Sequence, residues 1–360
     1  MKIGIITQPL LANYGGILQN FAMQRILEQL GHEPRTIDYT LKNSLWRCFR
    51  HRIRYYLKGS KGALPTLRRL RSGHLARFVE EHISLTRRVD RYEEGLIPEY
   101  GFDLLLVGSD QVWRPKYNPH LEDMFLRFAQ NQLVGRIAYA ASFGVDRWEF
   151  SGKQTRSCSA LAKRFDKVTV REASGVKLCH DQLGVEAEEV LDPTLLLTAD
   201  DYYPLYQEVV PEAKPYLAAY LLGHDPERKA FCEAMARARG LEIRYFGADA
   251  DAKLSIEEWL AHLNRASLVI TDSFHGTVFS ILGHREFITL GHRGRGLSRL
   301  KSLLGLTALE GRLFEQAPTG VVELPAIEWS EVDQRLHAAC QRSLGILKES
   351  LEACTPKTKQ

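Results

Sequence analysis

Short apolar runs that end in Gly, Ser, Asp or Arg recur along this chain, and they constrain its fold more than any other feature. Residues 103–107 read Asp-Leu-Leu-Leu-Val and lead into Gly108-Ser109-Asp110. A run without a polar face must be covered on both sides if it is a strand, which is the condition of a parallel sheet between helices. Residues 2–6, 136–139, 167–170 and 190–191 repeat the plan and lead into Thr7-Gln8, Ala141-Ser142-Phe143-Gly144, Arg171-Glu172 and Asp192-Pro193. Helical spacing fills the intervals. After Gly15-Gly16, the apolar positions Ile17, Leu18, Phe21, Ala22, Ile26, Leu27 and Leu30 predict one helix, closed by Gly31. A second strand is expected over 36–39.

The same alternation restarts near residue 214. Strands are expected at 216–222, 241–246, 268–271 and 286–290, with helices at 227–239, 255–264 and 274–282. Ser255 with Glu258 has capping-box spacing. With 360 residues, the chain exceeds one ordinary core. The fold class read from this pattern is α/β, with two Rossmann-like domains facing a cleft. The first spans 1–198 and carries a basic helical insertion over 43–91. The second spans 214–330, and 331–360 form a helix and a polar tail. Residues 195–215, with their prolines, read as a linker.

The net charge of +4 is unevenly spread. Between Arg47 and Arg91 stand 13 Lys and Arg against three acids, leaving the rest of the chain acidic. Leu45, Trp46, Phe49, Ile53, Tyr56 and Leu57 share a helical face there, ringed by arginines. That composition fits a peripheral contact with an anionic membrane and fits equally a core helix with a basic exposed side. No nucleic-acid-binding motif accompanies the charge. The six cysteines lack metal-ligand or redox spacing, so neither a metal nor a cofactor is expected. No apolar run nears the ~18 residues of a membrane span, and the N-terminus lacks a signal-peptide pattern; a cytoplasmic chain is the expectation, at most peripheral at the inner face of the membrane.

Candidate chemistry sits where strands end. Ile270-Thr271-Asp272-Ser273-Phe274-His275-Gly276 runs from a strand into a helix. Free N–H groups and the dipole at such a start make an anion site, and His275 adds a titratable donor; a plain capped helix fits the pattern equally. Arg171 at a strand edge suits bidentate binding of carboxylate or phosphate, or a surface pair with Glu172. Asp110 and Gln111 could bind sugar hydroxyls and Trp113 stack on a sugar ring, or the segment could be a helix start with a core Trp. Asn13-Tyr14-Gly15-Gly16 is no dinucleotide fingerprint, having adjacent glycines only. Arg293, Arg295 and Arg299 lie in a Gly-rich basic loop suited to clamping an anion.

Together these segments resemble the polysaccharide pyruvyl transferase family. Asn13-Tyr14-Gly15 with Leu18-Gln19, the stretch from Gly108 to Trp113, Ala141-Ser142-Phe143-Gly144, Val170-Arg171-Glu172, Leu191-Asp192-Pro193 and Ser273-Phe274-His275-Gly276 occur in the family's order. The resemblance implies a fold similar to B-type glycosyltransferases. It implies phosphoenolpyruvate as co-substrate, and a glycan or lipid-linked oligosaccharide that receives a pyruvate ketal. It further implies donor contacts from Arg171 and His275. With the strand-end readings above, the candidates become His275 and Asp110 for catalysis. Arg171, Ser273, Phe274, His275, Gly276, Arg295 and Arg299 are candidates for the donor. Asn13, Tyr14, Gly15, Gln111, Trp113 and Ser142 are candidates for the acceptor. The characterised eukaryotic member has a basic residue where Ser273 stands, so Arg293, Arg295 or Arg299 would substitute. Two other readings share the architecture: a nucleotide-sugar glycosyltransferase and a non-catalytic glycan-binding protein.

Overall fold

The computed structural model describes residues 1–40, 73–210, 214–247, 254–292 and 294–354. The basic helical face at 45–57, Cys48, Arg293 and the tail at 355–360 lie outside them.

Two parallel sheets organise the chain. The first has the order β2-β1-β3-β4-β5-β6, built from Lys2–Ile6 (β1), Glu33–Thr36 (β2), Leu104–Gly108 (β3), Gly135–Ala141 (β4), Lys167–Val170 (β5) and Glu188–Glu189 (β6). The second has the order β11-β10-β9-β7-β8, from Tyr216–Tyr220 (β7), Glu242–Tyr245 (β8), Leu268–Thr271 (β9), Phe287–Leu290 (β10) and Leu313–Phe314 (β11). β3 is buried at every residue, as its unbroken apolar run requires.

Two sequence expectations are corrected. The second strand begins at Glu33, ahead of 36–39, and includes Pro34. β2 is the sheet edge, where a missing N–H costs no ladder bond. Its expected residues continue the edge as isolated bridges, Thr36 to Leu85 and Tyr39 to Val89. The proposed linker contains a helix, Ala199–Tyr206, opened by a capping box of Thr198 and Asp201 and burying Tyr202 and Tyr206. The final helix, Trp329–Cys354, returns to the first domain: Ser343 Oγ accepts from the Leu191 N–H at 3.0 Å, and Leu347 and Leu351 are buried.

In each sheet the strand order reverses beside the first strand of that domain, between β1 and β3 and between β7 and β9. The crevice at such a reversal, beyond the carboxyl ends of the strands, is where open α/β sheets bind ligands. The loop leaving β1 ends at Asn13, where a helix opens with Tyr14, Gly15 and Gly16; the loop leaving β3 carries Asp110, and β9 runs into Ser273–Gly276.

Candidate active site

The two crevices face each other. A Cβ on Gly15 would stand 1.9 Å from His275 Nδ1, so the start of helix Tyr14–Gln29 lies directly against that of helix Phe274–Leu282. The second helix is held close to its own strand in the same way: a Cβ on Gly276 would meet Thr271 Oγ1 at 2.3 Å. Ser273 caps this helix, its Oγ accepting from the Gly276 N–H at 3.3 Å. Asn13 does not cap the first helix; its Nδ2 donates to Asp110 Oδ2 at 3.0 Å. Two helix N-termini therefore converge on one place, which favours negative charge there.

Arg171 enters from the end of β5 with its side chain 1 % exposed and bonds Asp192 Oδ2 at 2.5 Å. It also lies 3.8 Å from Asp110 Oδ1. Its guanidinium carbon is 4.7 Å from the Phe274 ring centre, and that of Arg299 is 5.5 Å from the same ring. Arg171 Nε and Nη2 and Arg299 Nε have no hydrogen-bond partner among the described residues, and Arg299 forms no salt bridge there. Burial first and the Arg171 charge second bring the Arg299 guanidinium down to about 10. Arg171, Asp192, Phe274 and Arg299 share a cavity of ≈ 300 Å³.

Asp192 is fully enclosed and bonded to Arg171, to Ser109 Oγ at 2.7 Å and to Thr194. Burial opposes its ionisation, yet Arg171 and His275 hold its carboxyl well below the usual carboxylate range. His275 Nε2 lies 3.7 Å from Asp192 Oδ1 and is buried without a hydrogen-bond partner among the described residues. Asp110 adopts a left-handed backbone, φ 71°, which is uncommon outside glycine. The turn aims its carboxylate at Asn13 and Arg171 together.

Several expected contacts are corrected by burial. Trp113 has no exposed surface; it stacks on Phe125 at 4.7 Å, and its Nε1 donates to the Met124 carbonyl. No ring face is left for a sugar. Ser142 is fully buried, donating to Glu172 Oε1 at 3.0 Å. Gln111 Oε1 accepts from Arg114 at 2.9 Å. Tyr14 reaches the second domain, stacking on Trp259 at 5.5 Å and donating to the Leu254 carbonyl at 2.7 Å. Ser273 and Gly276 bond each other, so their part is to form the helix start. Glu172 makes no exposed pair with Arg171: its Oε1 also takes the Phe143 and Gly144 N–H groups, both at 2.9 Å. Arg295 is committed to Asp272, which Arg228 also bonds at 2.8 Å. Of the expected acceptor residues, only Asn13 is exposed.

Two residues of consequence escaped sequence reasoning. Asp192 occurs in a quoted motif, and an Asp before Pro at a strand end reads as a turn residue, which hid its ion pair. Arg114 is 2 % exposed. It bonds Glu149 at 3.0 Å and donates across the domains to the Gly294 and Arg295 carbonyls at 3.3 and 3.4 Å. Nothing in Val112-Trp113-Arg114-Pro115 distinguishes it from a surface arginine.

Two parallel α/β domains meeting at their strand ends define the B-type glycosyltransferase architecture. Solved structures sharing this fold include a putative UDP-N-acetylglucosamine 2-epimerase of Listeria monocytogenes, at TM-score 0.52 and 11% identity over 99% of this chain and 91% of that one. The S. aureus protein MnaA, solved with UDP, gives 0.53 at 11%, covering 98% and 97%. Arabidopsis thaliana UGT89C1 complexed with UDP gives 0.52 at 9%, covering 98% and 100%. No curated protein matches the sequence. The polysaccharide pyruvyl transferase family profile matches residues 13–294, and the chain belongs to that family.

Proposed function

We propose that this transferase moves the enolpyruvyl carbon skeleton of phosphoenolpyruvate onto two hydroxyls of one sugar in a cell-surface polysaccharide or its lipid-linked precursor. The product is a pyruvate ketal. The observation that carries the reading is the pair of buried guanidiniums, Arg171 and Arg299, against one Phe274 ring with N–H groups unpaired. Arg171 has Asp192 as its partner, but Arg299 has no carboxylate partner among the described residues, and a buried charge left unpaired costs several kcal/mol, so an anion completes the site. Phosphoenolpyruvate supplies a carboxylate and a phosphate together. Arg299 then takes the place of the basic group that Ser273 lacks, because Arg295 is engaged by Asp272.

The proposed step balances as follows. His275 gives a proton to the methylene carbon, and the neighbouring carbon becomes electrophilic. A sugar hydroxyl attacks it, losing its proton to Asp110. The carbon–oxygen bond to phosphate breaks and phosphate leaves with the bonding pair. A second hydroxyl closes the ring and gives up its own proton; of the two hydroxyl protons released, one restores His275 and the other leaves on hydrogen phosphate. Asp192 fixes Arg171 and faces the His275 ring. Positioned proton transfer of this kind contributes ~10²- to 10⁴-fold.

His275→Ala and Arg171→Ala test the assignment. Each is expected to lower phosphate release and ketal formation by ~100-fold or more while the chain stays folded. Full transfer by either variant would contradict the assigned roles.

A further inference from the structure

The sealed face described above leaves open how a glycan reaches the donor. A second, larger cavity of ≈ 610 Å³ lies between the domains. One wall is Val145, Arg147 and Ser174 of the first domain, and the other is Ser298, Lys301 and Ser302 of the second. It adjoins the arginine cavity, since Ala173, Lys301 and Ser302 line both. Where they meet, the Ala173 N–H donates to Ser302 Oγ across the domains at 3.0 Å.

The two cavities differ in chemistry. In the smaller one, two buried guanidiniums call for an anion. In the larger one, charges cancel locally: Lys301 pairs with Glu315 at 2.8 Å, and Arg147 with Glu149 at 3.1 Å. What remains is the Asp146 carboxylate, which disfavours an anion, and a set of hydroxyls, Ser174, Ser298 and Ser302. Ser174 Oγ is buried with no hydrogen-bond partner among the described residues. A buried hydroxyl without a partner is costly to leave unsatisfied, so a ligand that bonds it is favoured. A polyhydroxylated, uncharged ligand satisfies such a surface, and a polyanion gains nothing from it.

We propose that this groove is the acceptor subsite and holds uncharged sugar residues of the glycan next to the one that receives pyruvate. The inference rests on the pyruvyl-transfer reading, because that reading places the anion in the adjoining cavity. It moves the acceptor contacts away from Trp113, Gln111 and Ser142, which are buried and bonded.

Methyl glycosides of galactose, glucose and mannose serve as probes, with binding followed by saturation-transfer NMR. Wild-type protein is expected to give transfer from at least one glycoside. Ser174→Trp and Ser298→Trp fill the groove from opposite walls, and each is expected to weaken that binding by about tenfold or more. Phosphoenolpyruvate should still protect both variants from thermal unfolding. Glycoside binding unchanged in the folded variants, or no glycoside transfer with wild type, overturns the acceptor assignment. Loss of phosphoenolpyruvate protection in wild type would instead overturn the donor reading, so the two failures are separable.

Discussion

Glu172 has no exposed surface, yet three donors from Ser142, Phe143 and Gly144 converge on one of its oxygens. Burial raises its carboxyl, although Arg171 and Arg299 pull it down. The folded value therefore lies above the unfolded one, near ~4.3. Its proton contributes stability below that unfolded value, and the contribution is lost as pH rises through the folded value. Glu172→Gln keeps an acceptor for the three donors and carries no charge. It is expected to be at least as stable as wild type at neutral pH, with that advantage vanishing towards pH ~4. Glu172→Ala leaves buried donors unpaired and should cost about 1–3 kcal/mol. Urea unfolding of both variants across pH checks the pair; a Gln variant as damaged as the Ala variant would refute it. At this scale the sequence was only partly legible. Arg171 and His275 stood out because their chemistry is rare at strand ends, whereas Glu172, Asp192 and Arg114 acquire their meaning from burial. A string of letters does not separate a buried carboxylate from an exposed one.

The helix starts depend on close approach. At Gly15 any side chain would enter the His275 ring, with a Cβ at 1.9 Å. Gly15→Ala should displace the imidazole or the helix, reducing transfer by about 10²-fold and stability by about 1–3 kcal/mol. Gly152→Ala is a fitting control, since its Cβ would meet nothing nearer than Arg156 at 3.7 Å. Equal transfer by the two variants would contradict the close packing. Local signals made the elements legible. β1, β5 and β9 carry apolar runs ended by polar residues, and Ser255 with Glu258 forms the capping box its spacing implied. The helix Ala199–Tyr206 was not legible because the prolines of 195–215 outweigh the Thr198–Asp201 cap, although Pro204, the one inside the helix, is tolerated there. The partner of Gly276 is Thr271, five residues away in the same segment, whereas that of Gly15 is His275, which sequence distance conceals.

At the scale of the whole molecule, two α/β domains were legible from alternating periodicity, and ordered motifs pointed to the family. The closure between domains was not, because it depends on single contacts between distant segments: Tyr14 on Trp259, Arg114 on the carbonyls of Gly294 and Arg295, Ala173 on Ser302. These contacts bring both strand-end crevices together and shut the arginine pair away from solvent. Among the described residues no helix is long and apolar enough to cross a membrane. The family supplies the transferase class, and the buried arginines on Phe274 supply the case for phosphoenolpyruvate. Mass spectrometry of lipid-linked oligosaccharides incubated with the protein and phosphoenolpyruvate tests that claim most directly. The account predicts the mass gain of one ketal-linked pyruvate with one phosphate released per glycan modified. Consumption of a sugar nucleotide with a gain of one sugar, and no gain from phosphoenolpyruvate, would contradict it.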